Sequence, residues 1–157
     1  MILVDSNVLM YSSGAAHPNK LPALNFLERV AVGEIEAAVD AEVLQEIIHR
    51  YRALRRWREG QQVYALARKL FPEVLAITGS VMDGAKKLAD EDATISARDA
   101  VHAAVVATYR LDGICTSDSD FDRVRSCRRV ALVRLALKNL RLPRRARGIG
   151  HTKIANW

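Results

Sequence analysis

Apolar residues follow two different spacings along this chain. Short runs bounded by polar residues predict strands: Ile2-Leu3-Val4 ending in Asp5, Val74-Leu75-Ala76-Ile77, Ile114-Cys115-Thr116, and a last one over 130–133. A further short strand is predicted where Ile35, Ala37 and Val39 alternate with Glu34, Glu36 and Asp40. Between the strands the period lengthens to that of a helix. Leu24, Leu27, Val30 and Ala31 share one helical face, and Gly33 sits where a helix C-terminus expects a glycine. Val43, Leu44, Ile47, Ile48 and Tyr51 share another face, on a long helix that starts at Ala41, has a basic far end and breaks at Gly60. A helix over about 61–70 stops before Pro72. Another runs from a Thr78 cap through Leu88, and an Ala-rich one opens at Ser96 and reaches Tyr109. A short helix is predicted around 119–124. Strands alternating with helices, without repeats or a linker, predict one α/β domain with a mostly parallel central sheet flanked by helices.

The composition allows one substantial core: the chain has 157 residues, half of them apolar. No apolar run approaches the ~18 residues of a membrane span. Asp5 and Asn7 interrupt the N-terminal apolar run too early for a signal peptide. Cys115 and Cys127 lack metal-site spacing, and Cys115 lies in a predicted buried strand, which suits an inert core thiol. A cytoplasmic protein is expected. The formal charge of +6 is unevenly distributed. Residues 1–133 carry 17 Lys and Arg against 18 Asp and Glu, whereas residues 134–157 carry seven basic residues and no acid. The chain therefore divides into a near-neutral body, 1–133, and a basic C-terminal tail, 134–157, able to contact phosphates without sequence preference.

Candidate chemistry lies in four acidic motifs. They are Asp5 after the first apolar run, Glu46 in Val43-Leu44-Gln45-Glu46, Asp99 in Ser96-Ala97-Arg98-Asp99-Ala100, and Asp118 in Thr116-Ser117-Asp118-Ser119-Asp120-Phe121. Two follow strands and so belong at the carboxyl edge of the sheet, where ligands of open α/β sheets collect. The other two lie on helices, Asp99 in a first turn. Carboxylates gathered at one point repel one another unless a divalent cation is bound. Each also has a plain structural role open to it. Asp5 and Asp118 suit caps and turns, Ser96 with Asp99 resembles a capping box, and Glu46 suits a solvated helix face. His102 lies among alanines on a closely packed helix and reads as a satisfied buried or interface histidine. Ser6 has no basic neighbour that would make it a nucleophile.

Taken in order, these motifs resemble the signatures of the PIN-domain ribonucleases, and most closely the VapC toxins of toxin–antitoxin pairs. The resemblance covers about residues 1–133. It implies a PIN-like fold and endonucleolytic cleavage of RNA by water activated at a Mg²⁺ or Mn²⁺ site. Carried over by position, it implies Asp5, Glu46, Asp99 and Asp118 as the acidic catalytic cluster, with Asp5, Asp99 and Asp118 as metal ligands. Ser6, Asn7, Thr116 and Asp120 are implied as support. The implied partners are RNA, a cognate antitoxin and a second copy of the chain. Glu42, one turn before Glu46, leaves the glutamate assignment open to a second candidate. A different class of reading is a catalytically weak PIN-like module that binds RNA or a partner. A haloacid-dehalogenase-like phosphatase would need an acid two residues after Asp5, where this chain has Asn7.

Overall fold

The structure is a computed structural model, and it describes residues 1–132. The strands are β1 (Ile2–Val4), β2 (Ala37–Asp40), β3 (Val74–Leu75), β4 (Ile114–Thr116) and β5 (Arg129–Ala131). They form one sheet in the order β3-β2-β1-β4-β5, and every pairing is parallel. The chain winds outward from β1 in one direction, then returns to place β4 on its other side. The order thus reverses at β1 and β4, and a crevice forms outside the carboxyl ends of strands at such a reversal.

Helices α1 (Ser6–Ser13), α2 (Lys20–Ala31), α3 (Ala41–Ala53) and α4 (Trp57–Leu70) cover one face, and α5 (Gly79–Glu91) and α6 (Ala97–Thr108) cover the other. The side-chain period of two explains the division. Ile2 and Val4 join the core beneath α1–α4, while Leu3 between them joins the core beneath α5 and α6. With helices on both faces, a central strand has no solvated side, and Ile2, Leu3 and Val4 are all fully buried.

Several boundaries match the residue pattern for identifiable reasons. The Thr78 side chain caps α5 at the Val81 N–H, and the Ser96 side chain caps α6 at the Asp99 N–H. Gly33, just beyond α2, takes a positive φ of 75°. Three expectations are corrected. An additional helix, α1, starts immediately after Asp5, in a stretch whose polar residues hide its period. The basic α3 ends at Ala53, not at Gly60, and the chain turns at Arg55 with φ 56°. Gly60 lies inside α4, where a Cβ would come within 2.5 Å of Tyr51 Cβ, so it serves the close approach of α3 and α4. Finally, β2 does not expose alternate residues. Asp40 at its end is completely buried. The basic tail, 134–157, lies outside the described residues.

Candidate metal centre

The β1–β4 register sets the site. Val4 is paired with Cys115, so Asp5 and Thr116 emerge side by side at the carboxyl edge. Asp5 is buried and caps α1 by accepting from the Asn7 N–H at 3.2 Å. Its carboxylate also accepts from Asn7 Nδ2 at 2.6 Å, from Ser6 Oγ at 3.2 Å and from Thr116 Oγ1. Asn7 Nδ2 in turn reaches Thr116 Oγ1 at 2.9 Å. Burial pushes the Asp5 carboxyl above the ordinary aspartate range, against the opposing pull of His102, Thr116 and Asn7.

Glu46 comes to the same point from α3. One oxygen accepts from Arg98 Nη1 at 2.7 Å, and the other lies 3.6 Å from His102 Nε2. Burial works to raise its pKa, but His102, Ser6 and Arg98 outweigh it and hold the carboxyl below the ordinary glutamate range. The Ser6 hydroxyl serves both acids although it has only one proton to donate. Turning that proton toward Glu46 frees a lone pair on Asp5.

His102 completes this cluster. Its ring is almost fully buried, with Nδ1 2.8 Å from Asp40 Oδ2, while Nε2 has no hydrogen-bond partner among the described residues. Burial opposes its charge, yet the Asp40 and Glu46 carboxylates prevail and its pKa is pushed up to about 10. Asp40 also caps α3, accepting from the Val43 N–H at 2.9 Å. Sequence reasoning treated Asp40 as a polar strand residue and His102 as satisfied. The structure bonds one ring nitrogen and leaves the other facing the acids. The only signal for this in the sequence was an acid at the carboxyl end of a strand, the same position that singled out Asp5.

Asp5, Glu46 and His102 each offer a ligand-type atom, and these atoms lie within 4.8 Å of one another. The other expected residues stand differently. Asp118 follows β4, with its N–H donating to Thr116 Oγ1 at 3.0 Å and its carboxylate capping the short 3-10 turn Ser119–Asp122. Through Thr116 its backbone is linked to Asp5 by two hydrogen bonds in series. The Asp99 carboxylate accepts from Ser96 Oγ at 2.7 Å, and Asp120 is ion-paired with Arg123. Asp99 and Asp120 line a shared depression with Asp92, Thr94 and Arg123. Glu42 is half-buried in the first turn of α3.

A divalent cation suits this donor set on structural grounds. Two carboxylates, Asp5 and Glu46, meet within one ion's reach, and a buried amide oxygen beside them, Asn7 Oδ1, lacks a hydrogen-bond partner among the described residues.

A family model described as the PIN domain matches residues 2–126. The chain belongs to the PIN domain family. Among curated proteins it is 40% identical over 131 residues to Ribonuclease VapC13 of Mycobacterium tuberculosis, covering 83% of this chain and all of that protein. It is equally similar to VapC ribonuclease Mb1869c of Mycobacterium bovis. Ribonuclease VapC7 of Mycobacterium tuberculosis is 33% identical over 125 residues, covering 77% of this chain and 84% of its own length. The crystal structure of FitAcB from Neisseria gonorrhoeae shares the fold with a TM-score of 0.58 at 20% identity, covering 76% of this chain and 88% of that one. The expected PIN-like fold and the resemblance to VapC ribonucleases are both borne out.

Proposed function

We propose that this protein is a divalent-metal-dependent endoribonuclease that hydrolyses RNA phosphodiesters as the toxin of a toxin–antitoxin pair. The observation that carries this reading is the meeting of Asp5 and Glu46 at the sheet's order reversal, in a chain 40% identical to a protein named a VapC ribonuclease.

Asp5, which meets Glu46 at the site, would hold the cation, Mg²⁺ or Mn²⁺, together with Asp99 and Asp118, the further ligands that the family resemblance implies. When bound, it neutralises charge on the phosphate and lowers the pKa of a water molecule. The chain's own residues do the rest. Asn7, Ser6 and Thr116 orient Asp5 by donating to its two oxygens. Glu46 has a lowered pKa, so it is ionised at neutral pH and can accept a proton from an attacking water. The Asp118 N–H ties its backbone to Thr116, and the Asp120 N–H donates to the Asp118 carboxylate in the same loop.

No helix among the described residues is long and apolar enough to cross a membrane, which fits the cytoplasmic setting that an RNA substrate calls for. A cognate antitoxin and a second copy of the chain are the proposed protein partners. The reading is tested by mapping cleavage of total RNA with Mg²⁺, with Mn²⁺ and with EDTA, using wild type and Asp118→Asn. Discrete cuts that need the metal and disappear in the folded variant are expected. Cleavage undiminished in EDTA, or by the variant, would overturn the mechanism. RNA binding without cutting would favour a binding module.

A further inference from the structure

His102 is not needed to build the acidic cluster, yet its ring is placed with more definition than packing alone requires. It lies on α6 between Val101 and Ala103, at positions otherwise filled by small or apolar residues. An isolated polar ring in that setting is costly unless its nitrogens are satisfied. Nδ1 is satisfied by Asp40, a residue that is itself completely buried and fixed by capping α3. A ring anchored at one nitrogen has one direction left for the other. Here Nε2 faces Glu46 Oε2 at 3.6 Å, an ion-pair distance, and lies beside Asp5.

Glu46 is thus gripped from two sides of different character. On the outer side Arg98 is more than half exposed, so its contact competes with water and salt. On the inner side the imidazole is only 3% exposed and held by a partner on another element. The inner contact is the one able to fix the carboxylate's position.

We propose that the buried Asp40–His102 pair is a positioning device that holds the Glu46 carboxylate against Asp5 in the cleft. His102 acts through Glu46 and touches neither the substrate nor the cation. A hard cation takes oxygen donors in preference to imidazole, which leaves the ring free for this role. The inference rests on the proposed ribonuclease reading only for its kinetic consequences. Its geometric content stands without them.

The test compares wild type with His102→Gln, Asp40→Ser, Glu46→Gln and the double variant His102→Gln/Glu46→Gln. Serine at position 40 still caps α3 but withdraws the carboxylate from the ring. Variants are first shown to unfold cooperatively, and Asp40→Ser carries the test if His102→Gln does not fold. On RNA, His102→Gln and Asp40→Ser should each lower kcat at least tenfold with KM within twofold. The double variant should cut no more slowly than Glu46→Gln alone, as expected for residues acting as a unit. A readout that needs no RNA is Mn²⁺ binding followed by electron paramagnetic resonance. Affinity should fall severalfold in His102→Gln and in Asp40→Ser, and bound Mn²⁺ in wild type should show no coupling to a histidine nitrogen. Nitrogen coupling that His102→Gln removes would make the residue a ligand and overturn the proposal. So would unchanged Mn²⁺ affinity in both variants, or a further loss of rate in the double variant. Should wild type bind Mn²⁺ as expected but cut no RNA, the ribonuclease reading fails while the positioning of Glu46 is still decided by Mn²⁺ affinity.

Discussion

Four hydrogen bonds converge on Asp5, and their donors come from three residues: Ser6, Asn7 and Thr116. Two of these were legible because they adjoin Asp5 in the chain. Thr116 lies 111 residues away, and its place beside Asp5 depends on which strand pairs with β1. The resemblance supplied it; residue spacing could not. His102 and Asp40 mark the other limit. Each is an ordinary residue in its own segment, and their meaning lies in a contact across 62 positions. The cysteines illustrate a residue-scale reading that needs little tertiary detail. Both are buried, burial raises both thiols, and Cys127 is pushed up to about 12. At pH 8 that leaves on the order of one thiolate in ten thousand. Iodoacetamide at pH 8 should therefore label neither cysteine in the native protein and both in denaturant, as read by mass spectrometry. Rapid native labelling of Cys127 would show that the segment preceding β5 opens.

Helix starts were the most readable features at the scale of elements. Thr78 and Ser96 announce them through side chains that accept N–H groups in the first turn, whereas the start of α1 behind its Asp5 cap was missed. The break between α3 and α4 was misplaced because Gly60 was read by its local propensity. Its actual role is interhelical, since any Cβ there meets Tyr51 at 2.5 Å and the Trp57 ring at 3.0 Å. Gly60→Ala separates the two explanations. If the glycine merely weakened α4, alanine would stabilise the protein by about 1 kcal/mol. Overpacking against Tyr51 instead predicts a net loss of roughly 1–3 kcal/mol, read as a lower midpoint in urea with an unchanged slope. A raised midpoint would restore the local reading.

For the whole molecule, the charge division between body and tail gives a test that keeps every candidate site residue in the chain. Residues 1–133 have a net charge of −1, and residues 134–157 hold seven basic residues. Truncation after Val133 should weaken RNA binding mainly at low salt and flatten its salt dependence. For single-stranded RNA the log–log slope should change by about 0.7 for each phosphate that the tail neutralises. Cleavage positions should not change, because binding to phosphates carries little sequence information. An unchanged slope would assign the tail no part in RNA binding, and altered cut sites would give it a part in substrate choice. The family match spans residues 2–126, which places the matched motifs within the body.

By itself the sequence determined the alternation of strands and helices, the caps that begin α5 and α6, and the four acidic motifs, because each of these is written in local spacing. It could not determine that β1 lies between β2 and β4, since parallel pairing leaves no local trace in either strand. That one fact of order brings Asp5, Asp40 and Thr116 to neighbouring strand ends and turns a polar strand terminus into the buried anchor of His102. Tertiary structure also decided which acids stand together: Glu46 with Asp5, and Asp99 with Asp120 at a depression they both line. Side-chain direction depends on how α3 and α6 pack across the sheet edge, and helical period alone does not specify it.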